Sequence, residues 1–239
     1  MKNVTRESVV YVIDNDASVR AALKELFESV GLHVNLFESG NAFENRIPDT
    51  PSCLVLDVRL NGMSGLKFQE ELVKAKVHVP IIFVTAHGDI SMAVRAMKAG
   101  AVDFLPKPFR NQDLLDAVST ALAYDVARRE EEQSISTLQE HIDSLSARER
   151  DVVARIVTGG LNKQIAAELG LSEVTVKVHR AKAMQKMGAR SLAELIRMVD
   201  LLEIAETWSE AGLSSISNAP MLRRWWRGQG SRFGEASKQ

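Results

Sequence analysis

The sequence has few of the features that mark secreted or membrane proteins. Its 239 residues include one cysteine, Cys53, so no disulfide can form within the chain and we expect a reduced core thiol. Apolar runs such as Val9–Ile13 have five residues, whereas a membrane-spanning helix needs about 20. Residues Met1–Ser8 are polar and charged, unlike a secretory signal. We therefore expect a cytoplasmic protein with no membrane partner.

The charge of the chain is nearly balanced, at −1, but it is unevenly distributed. Residues 1–124 contain 13 basic and 15 acidic residues, and residues 125–144 contain 2 and 6. Residues 145–206 contain 10 basic and 8 acidic residues, and residues 207–239 contain 5 basic and 2 acidic residues. An acidic front and a more basic back indicate two domains with different partners, and a chain of this length accommodates two domains.

The front of the chain alternates between short apolar runs and amphipathic segments. This pattern, with short loops, is typical of a parallel sheet covered by helices on both faces. The segment 17–30 has a helical apolar stripe, with Asp16 as a suitable N-cap and Gly31 as a terminator. We predict an α/β, flavodoxin-like fold with five parallel strands. The predicted strands are 9–13, 33–37, 53–56, 81–84 and 103–105, and the predicted helices are 17–30, 40–46, 64–75, 89–99 and one that begins at 111.

A long helix is predicted to connect the front of the chain to an all-helical back. An apolar 3-4-3 repeat follows the last front helix, at Ile135, Leu138, Ile142 and Leu145. The repeat favours either a linker helix over 125–144 that pairs with a second copy, or a single solvated helix. Glycine breaks divide 145–206 into a small all-α domain, and we expect the extension 207–239 to be flexible. The predicted helices of the domain are 146–158, 162–169, 173–187 and 191–204.

Four polar side chains follow predicted strands at the point where each strand ends. Asp14 and Asp57 follow the first and third strands, Thr85 the fourth and Lys107 the fifth. The carboxyl ends of parallel strands meet at one edge of a sheet, so we expect these groups to lie together. A carboxylate can attack phosphorus, while Mg²⁺ and an ammonium neutralise the transferred oxygens. Each residue alone fits an ordinary cap or turn, but the combination indicates a site that accepts a phosphoryl group.

Residues 162–187 read as a helix, a turn that contains Gly170 and a second helix, with Ser172 as its N-cap. At about 100° per residue, Val176, Ala183 and Met187 of the second helix face the core. The opposite face is small and apolar, with hydroxyl and ammonium groups at its borders. This composition favours a helix that reads the major groove over an ordinary solvated helix. The face and its borders comprise Val174, Thr175, Lys177, Val178, Ala181, Lys182 and Gln185.

With these strand-end residues, positions 9–124 resemble the CheY-like receiver domain of bacterial two-component response regulators. The resemblance implies that Asp57 is the phosphoacceptor and that Asp14 binds the metal. It also implies that Thr85 is a switch hydroxyl, Phe104 a switch aromatic and Lys107 a phosphate-contacting lysine. The peptide bond before Pro108 is then expected to be cis.

Two positions depart from the receiver pattern. The family usually has a second metal-binding acid after Asp14, but this chain has Asn15, whose amide can ligate Mg²⁺ without adding charge. We therefore expect Asp14, Asn15 and Asp57 to bind Mg²⁺ weakly. Asn61 replaces the usual proline, which should loosen the loop after Asp57 without removing a reactive group.

Residues 145 to about 205 resemble the LuxR/FixJ/NarL-type helix-turn-helix DNA-binding domain. The resemblance is carried by Leu145–Arg150, Gly160–Ala166 and Thr175–Arg180. It implies that Lys177, Val178 and Ala181 approach bases, although Ala181 stands where family members often have a longer polar side chain. The last helix resembles the family's dimerisation helix, for which core packing is the alternative.

The extension 207–239 lies outside both resemblances. Its segment Leu222–Arg227 mixes arginines with two tryptophans. Contacts with phosphate groups, a membrane surface or a partner protein are the alternatives to a self-packed or flexible extension.

The two resemblances together imply a transcriptional response regulator rather than an enzyme. A sensor histidine kinase would phosphorylate Asp57, and the protein would then form a homodimer that binds promoter DNA. One alternative is a pseudo-receiver, in which Asn15 and Asn61 mark a pocket that no longer needs phosphate. Another is a phosphate sink or interaction module whose helical half binds protein.

Overall fold

The computed structural model describes residues 8–43, 50–86 and 88–210, without the side chains of 203–210. The chain divides into two compact units, Met1–Arg129 and Glu130–Gln239, which are described separately. No helix in the described ranges combines the length and the apolar character that crossing a bilayer requires.

The first unit is built on a five-stranded parallel sheet with the order β2-β1-β3-β4-β5. This confirms the predicted flavodoxin-like α/β fold. The strands β1, β3 and β4 are buried almost throughout because both faces of the sheet are covered. The strands are β1 (Val9–Ile13), β2 (His33–Phe37), β3 (Ser52–Leu56), β4 (Ile81–Thr85) and β5 (Asp103–Pro106).

Alternate side chains of each strand point into two separate cores. Val10, Val55 and Ile82 pack with α1 (Ala17–Ser29) and with the first half of α4 (Asn111–Asp143). Neighbouring strand residues pack on the other face with α2 (Gly65–Lys74) and α3 (Ile90–Lys98). The two-residue period of a strand produces this division. Cys53 lies in the first core as a free thiol, as expected, and burial raises its pKa.

Local signals define the ends of α1 as predicted. The Asp16 carboxylate accepts hydrogen bonds from the N–H groups of Ser18 and Val19, and Gly31 follows the helix with φ of 81°. The prediction of a helix over 40–46 was wrong in its described part, where only a 3₁₀ turn at Asn41–Phe43 forms. Its one fully buried side chain, Phe43, packs edge-on against Tyr11 and Phe68, and a single anchor does not require a longer helix. Residues 44–46 lie outside the described residues.

The carboxylate of Asp125 is fully buried where α4 passes the start of β3. It accepts a hydrogen bond from the N–H of Ser52, the first residue of β3, at 2.9 Å. Its oxygens also accept bonds of 2.7–3.0 Å from Arg128 and Arg129 in the next turn of α4. These contacts extend the first compact unit to Arg129, whereas the sequence analysis placed the start of the linker at 125.

The second unit is helical and has two small apolar cores. One lies around Leu145, Ala183 and Leu195, and the other around Val152, Ile165 and Val176. Gly170 and Gly188 follow two of the helices in the left-handed conformation, with φ of 65° and 68°. The helices after α4 are α5 (Ala147–Val157), α6 (Asn162–Leu169), α7 (Glu173–Met187) and α8 (Leu192–Glu210), the last of which runs beyond the predicted end at 204.

Candidate functional site

Three of the strand-end side chains predicted to form a pocket lie in direct contact. The Lys107 Nζ is 2.6 Å from Asp14 Oδ2 and 3.3 Å from Asp57 Oδ2. The side chains of Asp14, Asp57 and Lys107 are 1%, 10% and 18% exposed. The ammonium therefore balances two carboxylates that are largely withdrawn from water, which would otherwise repel each other.

Backbone N–H groups hold both carboxylates in place, and Arg20 holds the main chain of Asp14. Asp14 Oδ1 accepts the Asp16 N–H at 2.9 Å, and Asp57 Oδ1 accepts the Arg59 N–H at 3.0 Å. Arg20 in α1 donates from Nη1 to the Asp14 carbonyl oxygen at 2.6 Å. Each carboxylate thus has one oxygen that accepts a backbone N–H and another that contacts the Lys107 ammonium. The sequence analysis did not identify Arg20, which lies on a helix and not at a strand end.

The residues proposed as switch groups line the same sheet edge. Thr85 is fully buried at the end of β4, opposite Pro106 of β5. The ring of Phe104 is half-buried and its centre lies 6.1 Å from that of Phe83. A side chain on Gly88 would place its Cβ 2.7 Å from Phe104 Cε1 and 3.0 Å from Thr85 Cγ2. Gly88 therefore leaves room for the Phe104 ring, a role that the sequence pattern does not reveal.

The backbone around the pocket has two further constraints. The Lys107–Pro108 peptide bond is cis, as the sequence analysis expected. Gly65 begins α2 directly against the Asp57 main chain, so a Cβ at this position would overlap the Asp57 carbonyl group. Asn61 is exposed in the loop between them. The glycine is thus required by a close approach and not by an unusual backbone angle.

In the second unit, α7 has the two faces that its sequence predicts. Val176, Ala183 and Met187 are fully buried, whereas Val174 is 70% and Val178 47% exposed. Lys177, Ala181, Lys182 and Gln185 are also exposed. Thr175 is half-buried and its hydroxyl oxygen lies 2.8 Å from that of Ser172, the N-cap of α7. The exposed surface of α7 is therefore centred on Val174, Lys177, Val178 and Ala181, with Thr175 at its edge.

Comparison with known proteins agrees with this division of the chain. Residues 10–119 match the family model of the response regulator receiver domain. Residues 143–199 match that of the bacterial regulatory proteins of the luxR family. The chain belongs to the response regulators with a LuxR-type DNA-binding domain.

Relatives of this response regulator match it over most of both chains. Nodulation protein W of Bradyrhizobium diazoefficiens is 52% identical over 205 residues, which are 85% of this chain and 90% of the relative. Response regulator protein TmoT of Ectopseudomonas mendocina is 47% identical over 83% of this chain and 90% of its own. The structure of the response regulator StyR is similar with a TM-score of 0.74 and 47% identity, and the match covers 81% of this chain and 98% of StyR. The chain is thus a transcriptional response regulator, and the pseudo-receiver interpretation is not favoured.

The donor groups at this pocket are of the type that Mg²⁺ prefers. Within the described residues there is no cluster of three or more His, Cys, Asp or Glu side chains that could hold a metal. Asn15 is exposed next to Asp14, and the Asp16 carboxylate caps α1, whose N–H groups lower its pKa. Two carboxylates and an amide remain, which is sufficient for an ion that keeps several waters. The Lys107 ammonium already offsets part of the negative charge of the Asp14 and Asp57 carboxylates.

An ion pair joins the start of α5 to the end of α7 in the DNA-binding unit. Glu149 is buried and accepts hydrogen bonds from Lys186 Nζ at 2.7 Å and from the Ser146 N–H at 2.8 Å. Lys186 also donates to the Ser144 carbonyl oxygen at 3.0 Å. The Lys186 contact, followed by the Ser146 N–H, lowers the pKa of Glu149 to about 2 from an ordinary 4.5. The pair therefore ties the end of α7 to the start of α5.

Glu149→Gln should remove a stabilising contribution that depends on pH. Because the pKa of Glu149 is lowered in the folded state, its contribution is complete above about pH 4.5 and is lost as the pH falls towards 2. The difference in unfolding free energy between the variant and the original protein should therefore be largest at neutral pH and shrink below pH 4.5. Amide exchange in α5 and α7 of the full chain measures it. The exposed Glu173→Gln serves as control, and an equal pH response of the two variants would contradict the prediction.

Proposed function

We propose that a sensor histidine kinase transfers a phosphoryl group to Asp57 and that this event controls dimerisation and promoter binding. The proposal is supported above all by the Lys107 ammonium, which lies 2.6 Å from Asp14 and 3.3 Å from Asp57 at one edge of the sheet. In this proposal the chain is a substrate and binding protein and not an enzyme acting on other molecules.

In the transfer, an oxygen of the Asp57 carboxylate forms a bond to phosphorus as the nitrogen–phosphorus bond of the kinase's phosphohistidine breaks. The histidine leaves with the electron pair, and the product is an acyl phosphate. Lys107 then turns from the Asp57 oxygen to the new phosphoryl oxygens, whose charge it balances. The Thr85 hydroxyl follows the phosphoryl group, and Phe104 moves with it. The change is a shift between two states of the receiver.

The metal site would use Asp14, Asp57 and Asn15. When bound there, Mg²⁺ supplies positive charge that offsets the oxygens of the transferred group. Asp14 is positioned for this role by the Asp16 N–H and by Arg20.

Asn15→Asp should raise the affinity for Mg²⁺ by about tenfold or more. A third carboxylate at the pocket adds one negative charge close to a divalent cation, and at about 4 Å in water such a pair is worth about 2 kcal/mol. Calorimetric titration of the full chain with Mg²⁺ measures the change. Asn61→Asp in the next loop is the matched control, since it adds the same charge outside the donor set. Equal affinities of Asn15→Asp and the original protein would refute the role of this position.

The exposed face of α7 would bind the promoter DNA. Lys177 and Lys182 would contact phosphates or base edges, Val178 and Ala181 thymine methyl groups, and Thr175 a phosphate at the edge. In this assignment residues 1–124 are the receiver, 125–144 the linker, and 145–206 the DNA-binding domain. A protein that binds the bacterial chromosome would act in the cytoplasm. Activation would bring two copies to two half-sites as a homodimer. The extension 207–239 has no assigned role in this output.

The proposal is tested by a duplex-DNA selection with the full chain, in the presence and absence of a small phosphodonor and Mg²⁺. We expect the donor to add the mass of one phosphoryl group and to increase the recovery of specific sequences. Asp57→Asn should abolish both effects because an amide oxygen does not form the acyl phosphate. The exposed Asp113→Asn is the control and should respond normally.

Two outcomes would contradict this function. Donor-independent recovery of the same sequences would indicate the pseudo-receiver. Absence of steeply salt-dependent binding to duplex DNA would instead indicate a module whose helical half binds protein, since phosphate contacts make DNA binding sensitive to salt.

A further inference from the structure

A groove of about 560 Å³ runs between α8 and the C-terminal part of α4 in the second unit. We call it the α4–α8 groove. Its apolar lining comes from Leu138 of α4 and from Met198 and Leu201 of α8. Its polar lining comprises Gln133, Ser134, Thr137, Glu194 and Arg197. All three apolar side chains are half-buried. Leu138, Met198 and Leu201 thus form an apolar surface between the two helices.

Acidic residues precede and follow the stretch of α4 that lines the groove. Residues 130–143 contain five acidic residues and no lysine or arginine. At about 100° per residue, Glu130 lies on the same face of α4 as Ser134 and Leu138, and Glu131 lies next to it. Burial and the neighbouring Glu132 raise the pKa of Glu131. A basic group at this end of the groove would therefore relieve repulsion between carboxylates.

The chain itself contains a segment with the complementary composition. Residues 211–239, outside the described part, include five basic residues and one acidic residue. Within them Met221, Leu222, Trp225 and Trp226 are apolar and follow a spacing of 1-3-1, and three arginines occupy the positions between and after them. A segment with this pattern can present apolar and cationic sides at once. It matches an apolar groove flanked by acidic residues.

The length of the intervening chain permits the segment to return to the groove. From Glu210, the end of α8, to Met221 the chain can span up to about 36 Å when extended. Leu201 lies nine residues back along α8, or about 14 Å, and Glu194 at the far end lies about 24 Å back. The whole groove is therefore within reach of residues 221–227.

We propose that residues 221–227 dock in the α4–α8 groove of the same chain. The tryptophans and Leu222 cover Leu138, Met198 and Leu201, and the arginines face the carboxylates of Glu130 and Glu131. This docking does not depend on phosphoryl transfer, and it assigns a binding partner to a segment outside both family matches.

Tryptophan fluorescence tests the docking directly. The chain has three tryptophans, two of which are Trp225 and Trp226, and Trp208→Phe leaves only these two as reporters. In the full chain we expect a blue-shifted emission and protection from acrylamide, independent of protein concentration. Ser134→Arg should abolish both, since it adds bulk and like charge at the groove border. Protection should also weaken in 1 M salt, where the screening length is about 3 Å.

Ser136→Arg is the matched control. Ser136 is exposed on the same helix but is rotated by about 200° from Ser134, away from the groove. Unprotected tryptophans in the original chain, or equal loss of protection in the two arginine variants, would overturn the proposal. So would protection that requires higher protein concentration, which indicates a second copy, or that requires duplex DNA or phosphatidylglycerol vesicles. Far-ultraviolet circular dichroism verifies that all variants are folded.

Discussion

Replacement of Asp125 by asparagine is expected to lower the free energy of unfolding of the receiver unit by about 3–5 kcal/mol. The carboxylate is fully buried and accepts bonds from Ser52, Arg128 and Arg129. Its removal takes the Asp125 carboxylate away from Arg128, a residue that is only 8% exposed. Amide exchange in β1 and β3 of the full chain should become faster by about 100-fold or more, since about 1.4 kcal/mol corresponds to a factor of ten.

The exposed Asp116→Asn on the same helix is the control for this prediction. Its carboxylate accepts one surface bond from Gln112, so its loss should change the free energy by about 0.5 kcal/mol or less. If Asp125→Asn destabilised the unit no more than Asp116→Asn does, the buried cluster would contribute little. The double variant that replaces Asp125 and Arg128 with apolar residues of similar size should recover part of the loss, because it removes both buried charges together.

The sequence was sufficient to predict the sheet and most helices because buried positions are occupied by apolar residues at regular spacing. The strands β1, β3 and β4 lie between two layers of helices and are therefore continuous apolar runs. The faces of α7 could be assigned from the position of Val176, Ala183 and Met187 alone, since one turn of helix fixes which residues share a side. Caps such as Asp16 and Ser172 are also local in origin.

Features that depend on distant contacts were missed. Asp125 resembles any polar residue of a helical linker, and its burial follows from Ser52, which lies 73 residues earlier. Gly88 matters because of Phe104, and Gly65 because of the Asp57 carbonyl group. The turn at Asn41–Phe43 carries too few apolar anchors for periodicity to set its length. None of these constraints is visible in the spacing of neighbouring residues.

The candidate pocket was predictable as a set of residues but not as a geometry. Parallel strands bring Asp14, Asp57 and Thr85 to one edge, whichever loops follow. The position of Lys107, however, depends on the conformation of the loop after β5. The Lys107 ammonium lies closer to Asp14 than to Asp57. Lys107 is thus shared between the residue that would hold the metal and the residue that would receive the phosphoryl group. Its removal should affect these two functions in opposite directions.

Lys107→Met is expected to slow phosphorylation of Asp57 by about 100-fold, the usual cost of losing one group that stabilises developing charge. The same change should increase the affinity for Mg²⁺ several-fold. Without the ammonium, the Asp14 and Asp57 carboxylates lose the positive charge that Lys107 holds 2.6 and 3.3 Å from them. Their attraction for a cation should therefore increase. Incorporation of phosphate from a small phosphodonor measures the first effect at saturating Mg²⁺, and calorimetric titration measures the second.

The opposite signs separate a role in charge balance from simple loss of folding, which would reduce both quantities. Lys67→Met, an exposed position at the start of α2, is the matched control and should change neither. A variant at Lys107 that was phosphorylated at the original rate would exclude the ammonium from the transfer. Slower phosphorylation with unchanged Mg²⁺ affinity would mean that Lys107 acts on the phosphoryl oxygens alone, and that its 2.6 Å contact with Asp14 does not compete with the metal.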